Sequence, residues 1–534
     1  MDGGAAAGGP WLAPCGLAAL LAALGLMAAG LIFGNLNQDE GWYLYAAGLI
    51  SSGKIPYRDF AFTQGPVMPF VYALADPLVK WGGLAAGRVF TGALGLAGAI
   101  LAAWLAGRLA RPGQKRPAVI LCFILALVNI YQGYFCTVVK TYSLTILFLI
   151  GGFLTLHHAL ARRRVMALTL SAALFVLAAG VRSSAAVVPL VIFCLLWLER
   201  GKFLFPAWIY FAAGGIITAI SVFGPFLAQC AANFIYFVVS YHALRDENGF
   251  LQAMAFKAGF ISRFLQAYFV CFVFWAAALA AKRFRKNDFA GEAAHDFPIS
   301  SFLRRCVWLS ALAVSLLHLA APFPYDDYQV FVYPLFATAV TLMVIDVLPA
   351  RAGTIAVLTA LVLSCAAAVS SPVNQDWFIE GRELIWWKTR NQPPLVKLRQ
   401  TAARVRALTN PEDFLLTQDP YLAVESGRPL PPGLEMGQFS YFPDLTDEQA
   451  KKLNVLNRNL FAELLRNCGA PLAALSGYAF AIQSPQITPL RPDDRACFER
   501  IIHSRYELLE TIPHFGQAAT DLRLYRRMAA PGRR

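Results

Sequence analysis

Residues 12–33 read LAPCGLAALLAALGLMAAGLIF, and the chain then continues Asn35-Leu36-Asn37-Gln38-Asp39-Glu40-Gly41-Trp42-Tyr43-Leu44-Tyr45. The first stretch is uncharged and long enough, as a helix, to cross about 30 Å of hydrocarbon. It lacks the basic start and small-residue cleavage site of a secretory signal, so it reads as a retained span. Leu12-Ala13-Pro14-Cys15 has no apolar region ahead of it, which argues against lipoprotein processing. Two adjacent carboxylates then emerge beside the membrane at the head of an aromatic-rich segment. Acidic side chains there are costly to desolvate and do nothing for insertion, so they point to chemistry.

The same apolar signature recurs along the chain. Its 534 residues are 57% hydrophobic and 15% charged, with a mean hydropathy of +0.52; ordinary globular chains carry about 25% charged residues. Spans are expected at about 12–33, 88–107, 117–134, 141–159, 165–181, 184–198, 204–223, 260–281, 306–321, 329–347 and 353–371. The net charge is +14, and most of the excess lies before residue 372, with 25 Lys/Arg against 14 Asp/Glu. That excess sits in short loops between spans, as in cytoplasmic loops, so nucleic acid is excluded as a partner. With the N-terminus cytoplasmic, the inside loops hold Arg108/Arg111/Lys115/Arg116, Arg162-Arg163-Arg164, Arg200/Lys202, the Lys282–Arg305 group and Arg351. Those are 16 of the 25 basic residues. Eleven spans then export the C-terminal region.

This gives an all-α polytopic membrane domain over 1–371, with a catalytic external loop at 34–87, and a soluble α/β domain over 372–534. The polar tail has the size of one domain. Leu395–Leu408 and 446–468 have helical patterns, while 413–417, 507–512 and 522–525 read as short strands. Pro66–Trp81, interrupted by Pro69, Asp76 and Pro77, reads as an interfacial helix, and Phe226–Lys257, with Arg245-Asp246-Glu247 inside it, is similar. Of ten cysteines, only Cys468 and Cys497 fall in the tail, where they are able to pair if it is extracytoplasmic. No Gly-rich phosphate loop, Ser/His/Asp signature or Cys/His metal spacing is present, which disfavours a nucleotide-sugar site.

Downstream of the acidic pair come Tyr43 to Ser52, Pro56-Tyr57-Arg58-Asp59, Gln64-Gly65-Pro66 and Arg88-Val89-Phe90. This arrangement resembles the GT-C glycosyltransferases, most of all the protein mannosyltransferases and aminoarabinose transferases. Their acidic pair is followed by two interfacial helices, a Pro-Pro element and a span opening with Arg. The resemblance covers the membrane region as a layout and is specific in residues over about 39–90. It implies transfer of a sugar from a polyprenyl phosphate to an acceptor on the outer side of the membrane. It makes Asp39 the base and gives Glu40 the task of orienting the loop or the acceptor.

The chemistry is consistent with those roles. A hydroxyl attacking an anomeric carbon needs a base, and an inverting transfer needs no protein nucleophile. A leaving phosphate is stabilised by a cation in place of a general acid. Arg182, after the fifth span, suits phosphate through its fork of donors. Lys140 stands where relatives commonly have an acidic residue, which weakens the case for a metal bridging two loops and makes Lys140 itself a phosphate ligand. Both also read as arginine or lysine snorkelling to the interface. Tyr328, from Pro324-Tyr325-Asp326-Asp327-Tyr328, is carried over from the relatives' aromatic-basic element as a third phosphate contact. Tyr43, Tyr57, Arg58, Asp59 and Gln64 are the expected substrate-binding residues. Asp59 is a second acid beside the donor sugar or simply the partner of Arg58. No cofactor is required; Asp326 and Asp327 are candidates for a divalent cation, and no metal ligands are assigned. His318 reads as structural. In the tail, Gln418-Asp419-Pro420-Tyr421 and Glu425 to Pro429 are candidate walls of an acceptor entrance or ordinary turns.

The expected function is therefore an inverting transferase in the inner membrane. Its donor is a polyprenyl-phosphate sugar and its acceptor a hydroxyl of an envelope glycolipid, glycan or protein. The rivals are a ligase moving a whole glycan from a lipid pyrophosphate, and a transporter or flippase. A transporter is expected to show repeated halves and broken, charged midspan helices, and neither is visible in the sequence.

Overall fold

The computed structural model describes residues 11–203, 205–243, 249–284, 298–322, 324–349, 352–370, 392–477 and 490–528. The expected boundary at 371/372, Arg351, Arg285, Lys286 and Arg245-Asp246-Glu247 lie outside these residues. The helices of the first part are α1 (Leu12–Phe33), α2 (Gln38–Ser51), α3 (Val67–Ala73), α4 (Asp76–Leu109), α5 (Lys115–Leu127), α6 (Ile130–Thr137), α7 (Thr141–Arg162) and α8 (Val165–Val181). They continue with α9 (Val187–Leu198), α10 (Ala207–Ile235), α11 (Tyr241–Ala243), α12 (Phe250–Ala267), α13 (Phe269–Phe284), α14 (Pro298–Ala320), α15 (Tyr333–Val347) and α16 (Ala352–Ser370).

Six of the described helices are long and apolar enough to cross a membrane alone. Two expected spans are instead bent pairs: Pro112–Leu127 with Ile130–Thr137 at 74°, and Phe250–Ala267 with Phe269–Phe284 at 84°. The first bend has a local cause: Asn129 leaves helical geometry and accepts the Gln132 N–H at 2.9 Å, starting a new helix. Three shorter apolar helices, Val165–Val181, Ser183–Leu198 and Tyr333–Val347, complete the set.

The expected interfacial helix at 66–81 is divided between α3 and the start of α4. Helix α4 kinks at Gly83, whose φ of 63° favours a residue without Cβ. Glu425 accepts the Leu84 N–H at 2.7 Å and so caps the restarted helix. Residues near 226 are not a separate interfacial segment: α10 runs through Pro225 and breaks at Cys230.

The C-terminal part contains α17 (Pro394–Leu408), β1 (Leu415–Thr417), α18 (Pro420–Ser426), α19 (Asp447–Lys452), α20 (Arg458–Asn467), β2 (Leu472–Leu475), α21 (Pro492–Arg505), β3 (Tyr506–Phe515) and β4 (Thr520–Arg527). Its sheet has the order β1-β2-β4-β3; β1 and β2 are parallel and the other pairs antiparallel. The helix expected over 446–468 is two helices, with Asn454 in left-handed geometry between them. Strand β2, Leu-Ala-Ala-Leu, is buried at every position and so lacks the alternation that marks a half-exposed strand. Cys468 and Cys497 are both free thiols, so the pairing left open by the sequence is not made here.

The apolar interior falls into two clusters. One lies among the spans, around residues such as Leu121, Leu149 and Phe175. The other joins the external loop (Trp42, Tyr57, Phe62, Met68) to Phe226 and Phe234 of α10 and to the C-terminal part (Leu398, Tyr421, Leu472). Loop and tail thus share one core. Gly41 shows how closely they meet: a Cβ there would stand 2.2 Å from the Tyr421 backbone N.

Candidate functional site

The start of α2 is fixed by a capping box. Asn37 accepts the Asp39 N–H at 3.1 Å, and Glu40 returns the favour by accepting the Asn37 N–H at 3.0 Å. Glu40 also meets Arg88 of α4 through two bonds of 2.6 and 2.8 Å, and both side chains are completely buried. The remaining guanidinium donors go to the carbonyls of Leu31, Gly34 and Asn35, at 2.9, 3.4 and 2.7 Å, where α1 ends. Glu40 accepts one further bond, from Val139 N–H at 3.2 Å.

That last bond has a geometric effect. By tying residue 40 to residue 139, it brings their neighbours Asp39 and Lys140 together. The Lys140 ammonium lies 3.2 Å from Asp39 Oδ2 and 2.7 Å from Asp327 Oδ2. Burial opposes its charge, but Asp327, Tyr142 and Asp39 outweigh it and hold its pKa well above the usual lysine value. Asp39 also accepts from Trp42 Nε1 at 3.2 Å, and its carboxylate remains 25% exposed, so a ligand can reach it.

Arg182, capping the end of α8, donates to Thr141 Oγ1 at 3.1 Å. Its guanidinium lies 4.4 Å from the Tyr328 ring centre and 5.1 Å from that of Tyr142. Its Nε is buried without a hydrogen-bond partner among the described residues. Thus Lys140 is engaged by two carboxylates, while Arg182 is held by rings and keeps donor capacity. Tyr43, one turn along α2 from Asp39, is buried with its ring against Trp42 at 4.0 Å. Burial first, and the Asp39 charge second, push its hydroxyl well above the usual tyrosine pKa.

The structure therefore gathers Asp39, Tyr43, Lys140, Arg182 and Tyr328 from four separated segments. Gln64 is fixed through its backbone: its neighbour Gly65 abuts the backbone of Gly180 in the last turn of α8, and the Gln64 carbonyl accepts the Tyr57 hydroxyl.

The remaining expected residues are placed differently. Glu40 is no substrate contact, because burial and four donors from Arg88, Asn37 and Val139 consume its carboxylate. Tyr57 is fully buried against Phe62, Phe226 and Phe234, a packing role. Arg58 and Asp59 form a forked pair at 2.9 Å, which with the Ile55 N–H holds the Asp59 carboxyl below the usual carboxylate range. Asp59 faces a cavity in the C-terminal part, away from Asp39.

Asp326 and Asp327 do not form one cation site. Asp326 binds Arg263 at 3.1 Å and the Tyr131 hydroxyl at 2.9 Å, whereas Asp327 takes Lys140. Among the described residues no three His, Cys, Asp or Glu side chains group as metal ligands. His318 bonds Ser184 and Gln329, at 3.0 and 3.2 Å. In the tail, Asp419 is buried and accepts from Tyr421 and Gln38, while Gln517 accepts the Gln38 N–H. Burial pushes the Asp419 carboxyl above the usual range.

Arg88 and Arg263 were not among the residues assigned to the site, and Asp327 was offered only as a candidate cation ligand. Arg88 was visible only as the first residue of a span. Arg263 carries no signal in sequence, since its role depends on α12 folding back over residues 326–331. At the opposite end of the helices the basic loops meet acids of their own: Arg304 lies 2.5 Å from Asp346, and Arg305 lies 2.6 Å from Glu199.

No protein-family model matches the chain, and no curated protein matches it. Solved structures do. ArnT from Cupriavidus metallidurans in the apo state aligns with a TM-score of 0.58 at 12% identity, covering 97% of this chain and 99% of that one. The same protein bound to undecaprenyl phosphate aligns at 0.55 and 12% identity, covering 97% and 98%. The apo oligosaccharyltransferase of Archaeoglobus fulgidus aligns at 0.47 and 11% identity, covering 87% and 69%. The likeness to ArnT runs through nearly the whole of both chains, helices and C-terminal part together, so this chain shares the fold of that structure.

Proposed function

We propose that this chain is an inverting glycosyltransferase that moves a sugar from a polyprenyl-phosphate carrier to a hydroxyl of an extracytoplasmic acceptor. The observation that carries the reading is the pairing of a solvent-reachable carboxylate, Asp39, with two cations, Lys140 and Arg182, on one end of a GT-C fold. The acceptor oxygen attacks the anomeric carbon and loses its proton to Asp39. The bond from that carbon to the phosphate oxygen breaks, and its electron pair leaves with the polyprenyl phosphate. Lys140 and Arg182 stabilise the charge that develops there. Tyr328 supports Arg182 by stacking, and Tyr43 and Gln64 border the sugar. The reaction is written without a divalent cation because an ammonium already stands between Asp39 and Asp327. Undecaprenyl phosphate bound to the ArnT structure supports a lipid carrier of this class.

The membrane part, 1–371, is read as eleven crossings: six long helices, two bent pairs and three short helices. Its N-terminus is cytoplasmic in the inner membrane, and the tail, 372–534, is a periplasmic domain. Support comes from the meeting of Asp39, Lys140, Arg182 and Asp327, all from loops assigned to the outer side. Acceptors remain a glycolipid such as lipopolysaccharide, a glycan or a protein.

The test is Asp39→Asn in membranes supplied with lipid-linked donor. Transfer is expected to fall by a factor of about 10²–10⁴, the usual contribution of a general base. Accumulation of a single-sugar polyprenyl monophosphate in cells lacking the protein fits this reaction; a glycan on a lipid pyrophosphate indicates the ligase instead. Wild-type transfer by Asp39→Asn refutes the mechanism, and transport without transfer by the wild type indicates a flippase.

A further inference from the structure

A cavity in the C-terminal part has a volume of about 520 Å³, within the range of small-ligand sites. It lies between the 56–60 turn of the external loop and the residues around α19 and α20. Leu456, Leu460 and Leu464 give it an apolar side, while Glu435, Glu463 and Asn467 supply acceptors and an amide. The walls are fastened. Asn233 of α10 donates to the carbonyls of Tyr57 and Lys452 at 2.9 and 2.7 Å, and Asn454 donates to the Arg58 carbonyl at 3.0 Å. Both Tyr57 and Asn454 hold left-handed geometry, with φ of 67° and 55°. Such conformations are costly and persist where their surroundings impose them, often at binding sites.

The cavity is also joined to the catalytic helix. Leu430 N–H, next to the lining residue Pro431, donates to the Tyr45 hydroxyl at 2.8 Å. Tyr45 lies six residues beyond Asp39 on α2, or about 9 Å along the axis.

We propose that this cavity binds an uncharged saccharide. An aliphatic wall suits the C–H face of a sugar ring, and carboxylates and carboxamides suit its hydroxyls. Lys451 is the one cation in the lining, against Glu435 and Glu463, with Asp59 paired to Arg58, so a phosphate or uronate is disfavoured. In calling this saccharide the remote portion of the acceptor, the assignment rests on the transferase reading; the binding itself does not.

The test is saturation-transfer NMR on the full-length protein in a detergent without sugar headgroups, with maltotriose as probe and trigalacturonate as the charged comparison. Maltotriose is expected to receive saturation, with trigalacturonate at least about tenfold weaker. Leu460→Trp, which fills the cavity, and Asn467→Trp, at its exposed edge, are each expected to weaken maltotriose by about tenfold or more. Asp39→Asn binds as wild type. Absence of saturation in the wild type, undiminished binding in both tryptophan variants, equal binding of trigalacturonate, or loss of binding in Asp39→Asn each overturns the assignment. Should Asp39→Asn retain sugar transfer, the transferase mechanism falls while maltotriose binding still stands.

Discussion

Arg88→Met is the substitution that most sharply separates packing from charge. Arg88 is completely buried and directs its donors to Glu40, Leu31 and Asn35. Methionine fills much of the same volume but supplies no donor. Glu40 would keep only the N–H groups of Asn37 and Val139, the Leu31 and Gly34 carbonyls would lose the Arg88 donor, and the Asn35 carbonyl would keep only the Tyr134 hydroxyl. Breaking a buried pair on one side costs about 3–5 kcal/mol, because the surviving charge stays out of water. Against a total stability of about 5–15 kcal/mol, that is a large fraction. The double variant Glu40→Leu/Arg88→Met leaves neither charge behind and is expected to recover part of the loss. Thermal unfolding of the purified protein measures the first effect. Sugar transfer in membranes measures the second: without the bond from Val139 to Glu40, Lys140 and Asp39 lose register, and the double variant remains inactive although more stable. Wild-type unfolding of Arg88→Met, or full transfer by the double variant, would refute this account.

Two further outcomes follow from the geometry. Arg182→Lys keeps the charge but loses the guanidinium contact with the Tyr328 ring and the fork of donors, so transfer is expected to fall about 10–100-fold, roughly the worth of a charge-assisted bond. The loss should appear in kcat more than in donor KM, and a variant with unchanged kcat contradicts phosphate stabilisation by Arg182. Burial raises the Glu435 carboxyl from 4.5 to about 7. Between those values the folded protein keeps a proton that the unfolded chain has released, so this residue's contribution makes stability fall as pH rises through the window and level off above it. Glu435→Gln removes that loss, and is expected to be more stable than wild type by about 1–3 kcal/mol at pH 8, with the gap closing below pH 5. A gap that does not change with pH in thermal unfolding rules out the assignment.

What could be read in the sequence followed from signals that are local. Apolar runs marked the helices because bilayer thickness sets a length that composition reveals. Asp39 was conspicuous as a charge beside a span, and Lys140 and Arg182 as cations at span ends. For Glu40 and Asp59 the sequence left two roles open each, and for a common reason: a carboxylate in sequence carries no sign of its partner. Glu40 is consumed by Arg88, 48 residues away, and Asp59 by its own neighbour. The bends at Asn129 and Tyr268 were invisible because the flanking runs stay apolar through them. Strand β2 was missed because full burial on both faces erases its period.

The charges around Asp39 bear on how the proposed reaction proceeds. Asp39, Asp326 and Asp327 face Lys140, Arg182 and Arg263, so these six groups balance before a donor arrives. Lys140 is divided between two carboxylates, which limits what it can offer a phosphate at first. As the acceptor hydroxyl loses its proton to Asp39, that carboxylate becomes neutral and its hold on Lys140 weakens. In the same step the phosphate oxygen gains the electron pair of the breaking bond. The ammonium thus becomes available as the negative charge appears, and Asp327 keeps it in place at 2.7 Å. An interaction that strengthens between ground state and transition state is one that accelerates the reaction. Arg182, free of carboxylate hydrogen bonds among the described residues, keeps its donors open to the same phosphate, and its pull strengthens as the leaving charge develops. A lysine between two acids, with one of them serving as the base, is in this sense coupled to the proton that the reaction moves.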